Sequence, residues 1–194
     1  MIENKTSFWD SYGGVILLSG FLIGSFSSLF PDWSFSVFLG NILAMAVVLV
    51  ISFYWYKQNL SQIKHKSRFA YLLFSLIGGQ LCVPLIRVMD STPATIGLTI
   101  FTLLIWVFLY LFREIPYKVF KFPLKTKWTF ILILLFIVTY TAATGVDRGY
   151  SNGWAFKRLS YSEELIYGGL VFYGFGILTL FTATGALGGK NREE

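Results

Sequence analysis

Six stretches of this chain carry no charged residue: 11–31, 33–56, 69–86, 91–112, 128–146 and 165–189, which are 21, 24, 18, 22, 19 and 25 residues long. An α-helix rises about 1.5 Å per residue, so roughly 20 apolar residues cross a hydrocarbon core of about 30 Å. All six runs reach that length, the third only just. Lipid offers the backbone no hydrogen-bond partner, so each run has to be helical. The alternating ten-residue segments of a membrane β-barrel are absent. The expected fold is therefore an all-α integral membrane protein, a bundle of about six transmembrane helices. It forms one polytopic domain over residues 1–194, with spans near 12–31, 34–56, 68–87, 93–113, 127–146 and 163–188.

Composition supports this reading, because only 13% of the residues are charged. A water-soluble domain of this length carries about 25%. Half that allowance cannot cover a globule with polar surface. All ten acidic residues fall between the apolar runs or near the chain ends.

Orientation follows from the basic residues, which favour the cytoplasmic side of short loops. With the N-terminus inside, the inner connections hold 12 of the 16 lysines and arginines and the outer ones hold Arg87, Arg148, Lys157 and Arg158. Both termini are then cytoplasmic. The first run is too long for a signal peptide and shows no small-x-small cleavage site, so it reads as a retained helix. The net charge of +6 meets anionic lipid at the inner face and carries no implication of nucleic acid.

Local signals punctuate the runs. Pro31-Asp32-Trp33 makes a tight outer link with Asp32 as a candidate cap, and Thr92 precedes Pro93 as the next. Lys57 to Arg68 reads as a short basic inner loop flanked by Tyr54-Trp55-Tyr56. Arg113 to Lys127 alternates basic and aromatic residues between Pro116 and Pro123, as a segment lying on headgroups would. Asp147 to Glu163 is the longest outer loop, with Ser160 or Ser162 available to cap the last helix.

Two groups of residues are candidates for function. The first is polar and lies in the outer half of the spans: Asn41, Gln80 and Tyr140 at similar depth, with Arg87 and Thr144 above them and Trp154 in the outer loop. Gln80, Pro84 and Arg87 share one face of their helix. Polar groups inside a membrane are costly and often mark a ligand path, although single amides also tie helices together. Arg87 has several available roles: snorkelling to headgroups, pairing with Asp90 or Asp147, or holding a lipid phosphate. The second group is a set of small residues, Gly20 and Gly24 in the first run and Gly169 and Gly176 in the last. Such stripes serve helix packing, within the chain or onto another membrane subunit.

Several chemistries lack their parts. Cys82 is the only cysteine, so no internal disulfide or dithiol pair can form. His65 is the only histidine and sits in a basic loop, away from any metal-binding or catalytic set. No carboxylate lies inside a run, and no phosphate-binding Gly-rich loop is present. No cofactor is implied.

The function these features favour is a non-enzymatic solute- or lipid-binding membrane component, such as the substrate-specific subunit of a transporter. The alternative is a structural, immunity or regulatory subunit of a membrane complex. A lipid-modifying enzyme at the outer interface, with Asp90, Asp147 or Glu163 as base, ranks third. The implied partners are membrane lipids and other membrane subunits. The abundance of Phe, Ile and Lys points to a bacterial cytoplasmic membrane. In size and span count the chain resembles the substrate-binding subunits of energy-coupling-factor importers, a similarity of architecture that no shared motif accompanies.

Overall fold

The computed structural model describes residues 8–58, 62–89, 91–121, 134, 137 and 161–187. Helix is the only regular structure among them. A π-helical turn, Trp9–Gly13, runs straight into α1 (Gly14–Leu29), where the Gly14 amide still donates to the Trp9 carbonyl. The others are α2 (Phe35–Lys57), α3 (Gln62–Val88), α4 (Thr92–Leu111), α5 (Glu114–Lys121) and α6 (Tyr161–Leu187). Four of these helices, α2, α3, α4 and α6, are long and apolar enough to cross a membrane, and α1 is a shorter apolar helix. That is consistent with a multi-pass membrane protein. The expected fifth span, 127–146, lies outside the described residues apart from Leu134 and Ile137.

Helix α3 is the hub, touching α1, α2, α4 and α6. Its largest contact is with α6, and the two run antiparallel. Leu85 packs on Gly169, Cys82 on Gly176, and the Ser67 hydroxyl donates to the Ala186 carbonyl. Two clusters sit on either side of this seam. Ile16, Met45, Leu73 and Leu76 join α1, α2 and α3. Leu109, Val119, Leu180 and Phe181 join α4, α5 and α6.

Two faces of the bundle follow from these contacts. At one end, hereafter the Arg87 end, lie the end of α1, the start of α2, the end of α3 and the start of α6. At the other, the Lys57 end, lie the end of α2, the start of α3, the end of α4, α5 and the end of α6. Helix α4 is peripheral: 6% of its spanning window is buried within the protein, against 33% for α3 and for α6. Its exposed side is apolar, as lipid contact requires.

One close backbone approach in the α3–α6 seam is between glycines. A Cβ added at Gly78 would lie 2.9 Å from the Gly176 carbonyl oxygen, and one added at Gly176 would lie 2.9 Å from that of Gly78. Hydrophobicity cannot drive helices together where the solvent is itself hydrocarbon, so close backbone packing has to supply the attraction. Only glycine allows it at this crossing.

Local expectations shift in four places. Ser34, not Asp32, caps α2, with its side chain accepting from the Val37 amide at 3.5 Å. Asp32 instead turns its main-chain carbonyl to Arg87. Ser91, not Thr92, caps α4 and accepts from the Ala94 amide at 3.3 Å, which leaves Pro93 in the first turn. In both cases the serine is the residue with extended backbone just before the helix, which is where a cap must stand. Ser160 lies outside the described residues, and Ser162 falls within the first turn of α6.

The basic loop 57–68 is also mostly helix, because α3 starts at Gln62 and therefore includes His65. Lys64, Lys66 and Arg68 favour helix as readily as loop once the chain has left the bilayer. Similarly, part of 113–127 coils into α5, where Pro116 occupies the first turn and is fully buried while Lys118 faces outward. Proline is tolerated there because first-turn amides have no helical partner.

Candidate functional site

Three polar side chains from the neighbouring helices reach the backbone of α1. Gln80 on α3 donates from Nε2 to the Gly20 carbonyl at 3.2 Å. Asn41 on α2 donates from Nδ2 to the Gly24 carbonyl at 3.0 Å and to the Ser27 hydroxyl at 2.9 Å. Arg87, two turns along α3 from Gln80, donates to four carbonyls. Its Nη1 serves Ser27 (3.4 Å), Ser28 (3.1 Å) and Phe30 (2.6 Å), and its Nη2 serves Asp32 (2.6 Å).

The sequence of α1 makes this possible. A helix carbonyl is normally shielded by neighbouring side chains, and Gly20 and Gly24 remove that shield. An added Cβ at Gly24 would come within 2.8 Å of Gln80 Nε2 and 3.0 Å of Asn41 Cβ. At Gly20 it would meet Leu76 and Met45 at 3.1 Å. The buried face of α1 is Ile16, Gly20, Gly24, Ser27 and Ser28. The groove along Gly20 and Gly24 is therefore filled by α2 and α3 of the same chain. Gly169 and Gly176 likewise receive Leu85 and Cys82 of α3.

Arg87 acts at a different kind of position. The last four carbonyls of an α-helix have no intrahelical donor and carry the negative end of its dipole. A guanidinium fanned across Ser27, Ser28, Phe30 and Asp32 satisfies that end and continues into the link to α2. Its described bonds give Arg87 a role that the sequence did not suggest, a cap on another helix. Asp90 and Asp147 lie outside the described residues, as does the Glu163 side chain. The described bonds of Arg87 all go to main-chain oxygen.

The polar column is satisfied in all but one place. Ser27 and Ser28 turn their hydroxyls to the Gly24 carbonyl at 3.1 and 2.5 Å, so Asn41 joins a closed set. Gln80 does not: its Oε1 is buried and accepts no hydrogen bond from the described residues. The residue itself is 3% exposed, so bulk water is no substitute. One turn later, Pro84 has no N–H to give the main-chain carbonyl of residue 80. Two acceptors at one position thus lack their usual donors. An unmet buried acceptor costs about 1–3 kcal/mol.

The structure therefore brings Asn41 and Gln80 together at Gly24, with Arg87 beyond them at the Arg87 end. Tyr140, Thr144 and Trp154 lie outside the described residues. The sequence reading missed the part played by Ser27 and Ser28 and by the α1 carbonyls. Carbonyls give no residue-level signal, and only the paired glycines hinted that this backbone would be approached. It also took Pro84 as a face marker, when its chemical effect falls on Gln80. Among the described residues no cluster of three His, Cys, Asp or Glu could hold a metal ion. Comparison with protein-family models, with curated proteins and with solved structures finds no match.

Proposed function

We propose that this chain is a non-enzymatic membrane component that binds a solute or lipid beside Gln80, on the outward-facing half of a six-crossing bundle with cytoplasmic termini. The observation that carries this reading is the unmet Oε1 of Gln80. A buried acceptor at a proline break, next to a glycine-lined backbone, is suited to a molecule that brings its own O–H or N–H. The substrate-specific part of a transporter is one form such a component takes. The crossing number is supported by the two ends of the bundle: α5 finishes at Lys121 on the Lys57 end, and α6 starts at Tyr161 on the Arg87 end. A chain that leaves one face and re-enters from the other makes an odd number of crossings between. The basic residues put the Lys57 end in the cytoplasm.

Ligand binding to the folded state raises stability by about 2.7 kcal/mol at a hundred times Kd. Protein purified in mild detergent should thus lose several degrees of thermal midpoint when stripped by exhaustive washing, and recover them when the washings are returned. Gln80→Leu, which fills the site with apolar atoms, should show no such loss and no such recovery. A wild-type midpoint indifferent to stripping, or a Gln80→Leu protein that responds like wild type, would overturn the proposal.

A further inference from the structure

Every cation–π contact among the described residues is at the Lys57 end. Lys57 lies 4.8 Å from the Phe53 ring centroid, Arg68 5.4 Å from Trp55, Arg113 5.7 Å from Tyr110, and Lys121 5.6 Å from Tyr117. Two of these belong together. Tyr71 on α3 and Tyr110 on α4 meet with ring centroids 6.1 Å apart. Arg68 sits one turn before Tyr71 and Arg113 one turn after Tyr110, so in antiparallel helices both arginines emerge on the same side of that ring pair. Both are half-buried, and neither is joined to a carboxylate among the described residues. Glu114, the nearest acid in sequence, follows Arg113 at the start of α5.

A cation–π contact neutralises none of the guanidinium's charge and uses none of its five N–H donors, which stay available to a bidentate partner. Below the pair, the outer side of α4 is exposed and apolar through Leu104, Val107, Phe108 and Leu111. That strip is a surface for acyl chains, and α4 ends two residues before Arg113.

We propose that Arg68 and Arg113, held beside the rings of Trp55 and Tyr110, form a binding site for the phosphate of an anionic phospholipid whose chains lie along α4. The site is at the opposite end of the bundle from Gln80 and stands independently of the ligand proposed there. Its occupant is a lipid and not free phosphate, because the helix that leads to Arg113 carries a long exposed apolar strip that a free ion would leave uncovered.

The test is native mass spectrometry of the full-length protein reconstituted with phosphatidylglycerol or phosphatidylcholine, reading the lipid retained as detergent is increased. Wild type should keep one phosphatidylglycerol and shed phosphatidylcholine. Each basic residue near an anionic surface contributes roughly a fivefold gain, so R68Q/R113Q should weaken retention about thirtyfold. K66Q/K118Q removes the same charge from exposed lysines of that face and should change retention less than about threefold. R68K/R113K keeps charge and fold but loses the planar edge, and should fall well below wild type. Equal losses in the two glutamine variants would mean diffuse attraction and overturn the site. Equal retention of both lipids, wild-type retention in the lysine variant, or complete displacement by inorganic phosphate would also overturn it.

Discussion

Replacing Arg87 with leucine should lower the stability of the protein by about 3 kcal/mol, more than loss of an ordinary exposed arginine. The guanidinium serves carbonyls of Ser27, Ser28, Phe30 and Asp32 at 2.6–3.4 Å. Ser28 alone has another described main-chain donor, the Ser34 amide at 3.0 Å. A charge-assisted hydrogen bond contributes roughly 1.5–3 kcal/mol, and a cation at a helix C-terminus up to about 2 kcal/mol. These terms overlap, and interfacial water will reach some of the freed carbonyls, so the sum is well above the net effect. For a chain of this size the loss corresponds to a fall in thermal midpoint on the order of 10 °C. Arg87→Lys should recover part of it. One ammonium cannot span carbonyls distributed from Ser27 to Asp32. Thermal unfolding followed in a single detergent would read all three proteins. A leucine variant within 2 °C of wild type would mean that water satisfies the end of α1 and that Arg87 is not its cap.

The second large effect is expected at the α3–α6 crossing. A methyl group added at Gly176 would meet Cys82 Sγ at 2.7 Å and the Gly78 carbonyl at 2.9 Å, and one at Gly78 would meet Leu180 Cγ at 2.8 Å. Backbone oxygen cannot rotate away as a side-chain tip can. Gly176→Ala should therefore cost about 2 kcal/mol, within the usual 1–3 kcal/mol for overpacking. Gly176→Leu should prevent the two helices from docking and reduce the folded yield severely. Internal controls stand nearby. Gly40, Gly79 and Gly97 have nothing within 4 Å of an added Cβ. Alanine there should be neutral or stabilising by up to about 1 kcal/mol, because it restrains the helix backbone. The contrast between Gly78→Ala and Gly79→Ala is the most direct form of the comparison, since the two positions differ by one residue and share a helix. Equal effects would mean that the crossing is looser than described.

The extent to which this fold can be read from sequence depends on where its signals reside. The apolar runs coincide with α2 and α4 to within about two residues and with α6 to within about four, since charge cannot enter the hydrocarbon core without cost. The start of α3 was hidden because α-helix continues beyond the bilayer into a basic segment, where hydropathy no longer reports on structure. Capping was misread at both links. Asp32 and Thr92 are good capping residues by type, but the choice went to Ser34 and Ser91, which sit at the turn from extended to helical backbone. For the candidate site, residue counting puts Asn41 and Gln80 at one depth, and both are in fact found against Gly24. Their partners were not legible, because they are carbonyl oxygens of a neighbouring helix. Arg87 was ambiguous for the same reason. Asp90, three residues on, suggested an ion pair, while the described hydrogen bonds of Arg87 go to carbonyls at the end of α1 and in the link to α2.

The column of donors from Gln80 to Arg87 also explains why a helix as short as α1 can hold its place. Its own hydrophobic burial is modest: Ile16 is the only large apolar side chain of α1 that is fully buried. Attachment comes instead from hydrogen bonds made in a medium where no water competes for them. Gln80 is the member of that column with an acceptor to spare. The proposed binding site and the tie that fixes α1 thus share one residue.

The most direct measurement is native mass spectrometry on the protein released gently from its own membrane, wild type beside Gln80→Leu. The binding account predicts a non-protein species of constant mass on the wild type, absent from the folded variant and identifiable by extraction. Wild type free of any such species, or carrying it unchanged after Gln80→Leu, would contradict the account.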